Sequence, residues 1–115
     1  MITCIAIDDD PLFLSLIESY CDQLGGIDVL GTYVNPVNGA LAIARYEPDI
    51  VLLDYQMPFL DGFETLKMLK KRPKVILISG YLKEPEVPKL TVDKFVSKTN
   101  LQNPEDLADV IRDLV

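Results

Sequence analysis

Three aspartates at the ends of two predicted strands are the residues of this chain best suited to chemistry. Asp8 and Asp9 follow an apolar run at residues 2–7, and Asp54 ends a second apolar run at residues 50–54. In open α/β sheets, ligands bind in the crevice outside the carboxyl ends of the strands. Carboxylates that converge there repel one another, and oxygen-only ligands favour a hard cation such as Mg²⁺. The pattern therefore predicts an acidic cluster that binds Mg²⁺.

The composition favours one compact domain that spans residues 1–115. The chain has 115 residues, of which 49 % are apolar, enough for a packed core. Its net charge of −7 and its pI of about 4.4 argue against direct binding to nucleic acid. No apolar run reaches the length of a membrane span, and the N-terminus lacks the basic start of a signal peptide. We therefore expect a cytoplasmic protein that does not bind membranes.

The chain contains no histidine and two cysteines, and these counts limit the metal sites and general bases that it can form. The lack of histidine removes the commonest general base and every histidine-containing zinc site. Cys4 and Cys21 fall inside a predicted strand and a predicted helix, and we expect both thiols to be buried. Two cysteines cannot complete a four-ligand structural zinc site.

The elements that must position the aspartates alternate between apolar runs and amphipathic stretches. This alternation predicts a doubly wound α/β fold, with a parallel sheet covered by helices on both faces. The predicted strands lie at residues 2–7, 29–33, 50–54, 75–79 and 94–96. Right-handed crossovers then lead to a flavodoxin-like five-stranded sheet in the order 2-1-3-4-5.

Helix starts are marked by a capping residue followed by proline. Asp10-Pro11, Asn35-Pro36 and Asn103-Pro104 each place a side-chain cap before a proline at the first helical position. Gly25-Gly26 ends the first helix, and a further helix is predicted at residues 62–70. The residues expected on apolar faces are Phe13, Leu16, Ile17, Tyr20 and Leu24, then Val37, Ala40, Leu41 and Ala44, and finally Leu107, Val110, Ile111 and Leu114.

The segment at residues 81–91 breaks the alternation. Pro85 and Pro88 are three residues apart, and a proline inside a helix costs about 3 kcal/mol. We therefore expect the fourth helix of the fold to be shortened or missing.

These residues together resemble the receiver domain of two-component response regulators, over nearly the whole chain. The family's acidic pair matches Asp8-Asp9, and its phospho-acceptor matches Asp54, followed by Met57-Pro58 and Gly62. The family's hydroxyl position at the end of the fourth strand matches Ser79, and its lysine after the fifth strand matches Lys98. The motifs occur in the right order and at suitable spacing.

The resemblance implies a Mg²⁺-dependent signalling switch. Asp54 would accept a phosphoryl group from the phosphohistidine of a sensor histidine kinase or a phosphotransfer protein. The metal ligands implied are Asp9, Asp54 and the main-chain carbonyl of Gln56, with Asp8 acting through metal-bound water.

Two further roles follow from the same resemblance. Lys98 would supply a positive charge to the phosphoryl group, and the Ser79 hydroxyl would bond one of its oxygens. Such a domain catalyses only its own phosphorylation and dephosphorylation, so we do not expect an enzyme in the ordinary sense. The output partner and the assembly, a homodimer included, are left open.

The chain departs from the family pattern at the fifth strand. Thr99 stands where receivers usually carry a proline in a cis peptide, so we expect a trans bond after Lys98. The aromatic switch position matches Phe95, which has no hydroxyl. The run at residues 72–81 looks somewhat like receivers attached to LytTR-type DNA-binding domains.

Two other functions are open to such a chain. A degenerate receiver would act as an interaction module that does not depend on phosphorylation, although the complete set of site residues argues against it. A haloacid-dehalogenase-type phosphatase also uses a strand-end aspartate, Mg²⁺, a hydroxyl and a lysine. That family's first motif needs Asp-x-Asp-x-Thr/Val, whereas Asp8-x-Asp10 is followed by Leu12.

Overall fold

The computed structural model describes residues 1–55, 73–80 and 92–114. In these ranges the chain forms five strands, three α-helices and one 3₁₀ turn. The strands are β1 Ile2–Ile7, β2 Ile27–Tyr33, β3 Ile50–Asp54, β4 Lys74–Ser79 and β5 Lys94–Ser97. The helices are α1 Pro11–Leu24, α2 Pro36–Tyr46 and α3 Pro104–Arg112, and the 3₁₀ turn is Lys98–Asn100.

The strands form one parallel sheet in the order β2-β1-β3-β4-β5. This confirms the predicted flavodoxin-like topology. Each of the five strands overlaps its predicted range, but β2 begins two residues earlier, β4 begins one residue earlier and β5 ends one residue later than predicted. Strand interiors are easy to place because a run buried on both faces is apolar throughout.

Successive side chains of the central strands point to opposite faces and feed two separate cores. On one face Cys4, Leu52 and Ile76 pack with α1 and α3, while on the other Val51 and Leu77 pack with the helix α2. The five-residue strand β3 is buried throughout. The sheet is thus a rigid layer whose carboxyl edge can hold side chains in fixed positions.

Helix α1 begins as the sequence predicts. The side chain of Asp10 caps the helix by accepting a hydrogen bond from the main-chain N–H of Leu12, and Pro11 is the first helical residue. Gly25 follows the last turn with a φ of 67°, a conformation that favours glycine. The predicted inward face is right except for Leu16, which is partly exposed. Leu14 and Cys21 are buried in addition.

Helix α2 is capped by Asn35 as predicted, but only Ala40 of its predicted apolar face is buried. Val37, Leu41 and Ala44 are exposed, with Leu41 at 64 %. Gly39 and Ile43 lie on the buried face with Ala40. A Cβ atom at Gly39 would lie 2.4 Å from the Cδ1 atom of Ile7, so the helix approaches β1 through this glycine.

The chain after β5 turns through the 3₁₀ helix and ends in α3, which Asn103 caps. Leu107 and Ile111 are buried, as expected. No peptide bond in the described ranges is cis, which confirms the trans bond between Lys98 and Thr99. None of the helices in those ranges is long and apolar enough to cross a membrane.

Three predictions lie outside the described residues. These are the helix at residues 62–70, the shortened or missing fourth helix at residues 81–91, and the metal-ligating carbonyl of Gln56.

Candidate functional site

The carboxyl edge of the sheet brings the three predicted aspartates together. One carboxylate oxygen from each of Asp8, Asp9 and Asp54 lies within 4.8 Å of the others. Asp8 and Asp54 are buried, whereas Asp9 is exposed. Asp54 is the last residue of β3, and the aspartate pair directly follows the neighbouring strand β1. Parallel pairing of adjacent strands therefore explains why residues far apart in sequence meet here.

Asp8 is the most enclosed of the three. Its side chain is fully buried, and its Oδ1 atom accepts a 2.9 Å hydrogen bond from the main-chain N–H of Asp10. Its own main-chain N–H donates to the carbonyl of Tyr33 at 3.0 Å. The loop after β1 is thus held at both its main chain and its side chain.

Lys98 is the first residue after β5, and its side chain reaches the acidic cluster. Its Nζ atom lies 2.7 Å from the Oδ2 atom of Asp8 and forms an ion pair with it. Within the described part of the chain, no other donor reaches that oxygen. A fully buried carboxylate oxygen with spare acceptor capacity is suited to a cation or to a metal-bound water.

The pKa values of Asp8 and Lys98 are shifted by burial and by the neighbouring charges. Burial raises the pKa of Asp8, and the Lys98 ammonium and the Asp10 N–H oppose that rise only in part. Burial alone would lower the pKa of Lys98, but the carboxylates of Asp8 and Asp54 outweigh it and raise that pKa. Each raised pKa means that the protonated form of that side chain is favoured. The cluster would therefore gain from a further positive charge.

The donor set fits a hard divalent cation. Asp8, Asp9 and Asp54 offer oxygen atoms only, they converge from two strand ends, and one of them is exposed to incoming solvent. Mg²⁺ keeps several waters and is commonly bound through one or two carboxylates. The acidic cluster is thus able to bind a metal ion.

Ser79 lies at the same edge of the sheet. It is the last residue of β4, it is buried, and it pairs in register with Ser97, the residue before Lys98. Because β4 lies directly beside β3, the hydroxyl and the Asp54 carboxylate end neighbouring strands.

The comparison with protein families decides what this arrangement is. A family model described as the response regulator receiver domain matches residues 4–112. The chain belongs to this family. Its fold, its strand order and its acidic cluster are those expected of a receiver domain, the signalling switch of two-component systems.

Curated relatives agree with the assignment. The receiver is 35 % identical over 83 residues to an uncharacterized response regulatory protein of Vibrio vulnificus, covering 70 % of this chain and 34 % of that protein. It is 31 % identical over 108 residues to a protein-glutamate methylesterase/protein-glutamine glutaminase of Methanosarcina barkeri. This match covers 92 % of this chain and 30 % of that protein. The chain thus spans about a third of the length of each of these two relatives.

Solved structures share the fold. The response regulator domain of Thermotoga maritima CheB superposes with a TM-score of 0.83 at 19 % identity, over 98 % of this chain and 95 % of that one. A CheY-like receiver from Methanospirillum hungatei gives a TM-score of 0.82 at 24 % identity, over 98 % and 92 %.

One residue at the site was not recognised as a site residue from sequence. The ring of Phe13 lies under the Lys98 ammonium, with 4.6 Å between the Nζ atom and the ring centroid. Sequence periodicity placed Phe13 only in the core of α1. Its position in the first helical turn after the acidic loop was a signal that the ring would lie close to the site.

Proposed function

We propose that this receiver domain accepts a phosphoryl group on Asp54 from a phosphohistidine of a sensor histidine kinase or a phosphotransfer protein. A carboxylate oxygen of Asp54 forms the new bond to phosphorus as the phosphorus–nitrogen bond breaks. The electron pair of that bond stays on the imidazole nitrogen, which then takes a proton. The products are an aspartyl phosphate and a neutral histidine.

One observation carries this proposal. Three carboxylates lie within 4.8 Å of one another at the carboxyl edge of a parallel sheet, and a lysine pairs with the most buried of them at 2.7 Å. Phosphoryl transfer needs positioning and charge neutralisation more than it needs acid–base groups. A site without histidine that combines several carboxylates with one lysine suits this reaction.

We assign the metal ligands to Asp9, Asp54 and the Gln56 carbonyl, with Asp8 acting through metal-bound water. The fully buried Oδ2 atom of Asp8, which Lys98 contacts on one side, and the oxygen-only donor set support this assignment. Bound Mg²⁺ would neutralise charge on the phosphoryl oxygens and on the attacking carboxylate.

Lys98 and Ser79 would recognise the phosphoryl group itself. The Lys98 ammonium already lies at the cluster and would supply a point charge to a phosphoryl oxygen. The Ser79 hydroxyl, at the end of the adjacent strand, would donate a hydrogen bond to another oxygen. The movement of these two side chains toward the modified Asp54 would be the local event that a switch amplifies.

We assign residues 1–115 to a single receiver domain that modifies only itself. The activities in the names of longer relatives, such as the methylesterase, belong to those proteins. Signal output would then depend on a domain or a partner that distinguishes the phosphorylated from the unphosphorylated receiver.

Incubation with acetyl phosphate and Mg²⁺, followed by intact mass spectrometry, tests the proposal. We expect one phosphoryl group per chain, lost on treatment with hydroxylamine because an acyl phosphate is a mixed anhydride whose acyl carbon hydroxylamine attacks, with release of phosphate. Asp54→Asn should stay unmodified, and chelation of the metal should slow the reaction strongly. Asp22→Asn, which changes an exposed carboxylate elsewhere on α1, serves as the matched control and should react as the wild type does.

The other functions predict different results. A chain that stays unmodified while it binds a partner would be a degenerate receiver. Repeated turnover of phosphomonoesters would indicate a hydrolase. A phosphoryl group that persists in Asp54→Asn would refute the assignment of the acceptor.

A further inference from the structure

The contact between Phe13 and Lys98 joins a core side chain to the site. Phe13 is 7 % exposed and belongs to the core between the sheet, α1 and α3. The Lys98 Nζ atom lies 4.6 Å from the centroid of its ring, inside the range of a cation–π interaction. The same ammonium is 2.7 Å from Asp8.

The ring is held firmly by its own surroundings. Asp10 caps α1, and Pro11 fixes the first helical residue, so the first turn that carries Phe13 has a defined backbone. The side chain then packs among buried neighbours, where cores are as dense as organic crystals. The ring therefore offers a fixed surface to any group that rests on it.

Lys98, in contrast, needs such a surface. A lysine carries its charge on a flexible four-carbon stem, and ordering that stem costs rotamer entropy. Near its main chain, the Ser97 Oγ atom is 2.9 Å from the Thr99 Oγ1 atom and accepts a long hydrogen bond from the Thr99 N–H. These contacts fix the backbone of the turn, and the Phe13 ring contacts the far end of the side chain.

We propose that Phe13 is a positioning residue for phosphoryl transfer, because its ring face holds the Lys98 ammonium against Asp8 at the acidic cluster. This inference rests on the proposed function, in which Lys98 neutralises the transferred group. An ammonium held in place costs no reorganisation when the phosphoryl group arrives. Without the ring face, the Lys98 ammonium would still be at the site, but its position would no longer be fixed.

Fluorinated analogues of Phe13 test the electrostatics of the ring face with little change in its shape, and a saturated analogue removes the π system but has a thicker ring. Site-specific incorporation of 4-fluoro-, 3,5-difluoro- and 3,4,5-trifluorophenylalanine withdraws electrons stepwise, and cyclohexylalanine removes the π system. We expect the rate of phosphorylation by acetyl phosphate with Mg²⁺ to fall with each fluorine. The fall should reach about two- to thirtyfold with cyclohexylalanine, the range set by a cation–π contact of roughly 0.5–2 kcal/mol.

A second readout follows the lysine itself and needs no phosphorylation. Methylene protons of Lys98 near the ring face should resonate upfield in the NMR spectrum, and Phe13→Leu should return them to ordinary positions. Urea unfolding of each analogue checks that the fold is intact. A merely structural role of Phe13 would change stability without a trend in rate that follows the number of fluorines.

The outcomes separate this inference from the function on which it rests. A wild type that phosphorylates normally while the analogues keep its rate overturns the role of Phe13 alone. Ordinary Lys98 shifts in the wild type overturn the contact. A wild type that is never phosphorylated refutes the proposed function and with it the role of Phe13 in the reaction, and the NMR shifts then decide the contact by themselves.

Discussion

Asp9→Asn should stabilise the metal-free receiver and weaken its response to Mg²⁺. Asp9 belongs to the acidic cluster, yet it is exposed, so the amide can replace the carboxylate without disturbing the core. The substitution removes one negative charge from a group of three. It also removes one of the proposed metal ligands, so the two effects on stability have opposite signs.

The size of the first effect follows from the spacing of the carboxylates. Two unit charges 4.8 Å apart repel by about 0.9 kcal/mol in water and by about 3.5 kcal/mol at an effective dielectric constant of 20. Because Asp9 is exposed, the value for water is the appropriate one, and salt lowers it further. Asp9 takes part in two such pairs. We therefore expect the metal-free variant to be more stable than the wild type by about 1–2 kcal/mol.

The second effect follows from linkage between binding and folding. At a free Mg²⁺ concentration 100 times the Kd, a ligand that binds only the native state adds about 2.7 kcal/mol to the free energy of unfolding. If the substitution weakens binding tenfold, the same concentration adds only about 1.4 kcal/mol. The stability advantage of the variant should therefore shrink or vanish as Mg²⁺ is added.

Urea unfolding followed by far-ultraviolet circular dichroism measures both effects, since the chain has no tryptophan for fluorescence. All measurements are made at one fixed pH, because burial raises the pKa of Asp8 and the charge of the cluster therefore depends on pH. Asp28→Asn changes an exposed carboxylate on β2 and is the control. Wild-type stability that is indifferent to Mg²⁺, or an Asp9→Asn variant with the full wild-type response, would refute the reasoning.

Three predictions concern the scaffold around the site. Gly39→Ala should lower the free energy of unfolding by about 1–3 kcal/mol, because the new methyl group would meet the buried Ile7 at 2.4 Å. Thr3→Val should raise the pKa of Asp49 in an NMR titration. The main-chain N–H and the hydroxyl of Thr3 both lower that pKa below 3.8, and valine keeps only the N–H. Tyr20→Phe should cost about 1–2 kcal/mol in urea unfolding, because a buried carbonyl loses its 3.1 Å hydrogen bond.

The lowered pKa of Asp49 also predicts how the stability of the Thr3 variants changes in acid. A carboxylate whose folded pKa is lowered stabilises the fold above its unfolded pKa, and this contribution is lost as the pH falls through the folded value. Thr3→Val should therefore lose less stability on acidification than the wild type, whereas Thr3→Ser should behave as the wild type. Equal loss of stability on acidification in the wild type and both variants would show that the Thr3 hydroxyl does not lower the pKa of Asp49.

Two matched substitutions control the packing predictions. Gly80→Ala adds a methyl group where no atom of the described residues lies within 4 Å and should leave stability nearly unchanged. Tyr46→Phe removes an exposed hydroxyl and should change it by less than about 0.5 kcal/mol. Losses as large as those of Gly39→Ala or Tyr20→Phe would show that neither close packing nor the buried bond is the cause.

Local signals in the sequence determined where the elements begin. Asp10, Asn35 and Asn103 each precede a proline, and each caps a helix in the structure. A cap depends only on a side chain and the main-chain N–H groups two or three residues later, so it needs no knowledge of the fold. The apolar strand runs were equally informative, and their alternation with helices led to the correct strand order.

The orientation of α2 was not determined by such signals. Val37 and Leu41 form an apolar stripe at helical spacing, yet this stripe faces outward. Gly39 carries no side chain, so hydropathy gives it little weight, but it lets the helix approach Ile7 more closely than any larger residue would. Contact with the sheet decides which face is buried, and that contact joins residues distant in sequence.

The functional site also has a part that sequence patterns predict and a part that only the tertiary structure decides. The sequence by itself placed Asp8, Asp9 and Asp54 at one edge, because parallel pairing brings the carboxyl ends of adjacent strands together. Only the tertiary structure decided that Asp8 is fully buried against Lys98, and that the ammonium rests on the ring of Phe13. Strand ends follow from patterns along the chain, whereas burial and side-chain contacts depend on how the loop after β1, α1 and the turn after β5 pack against one another.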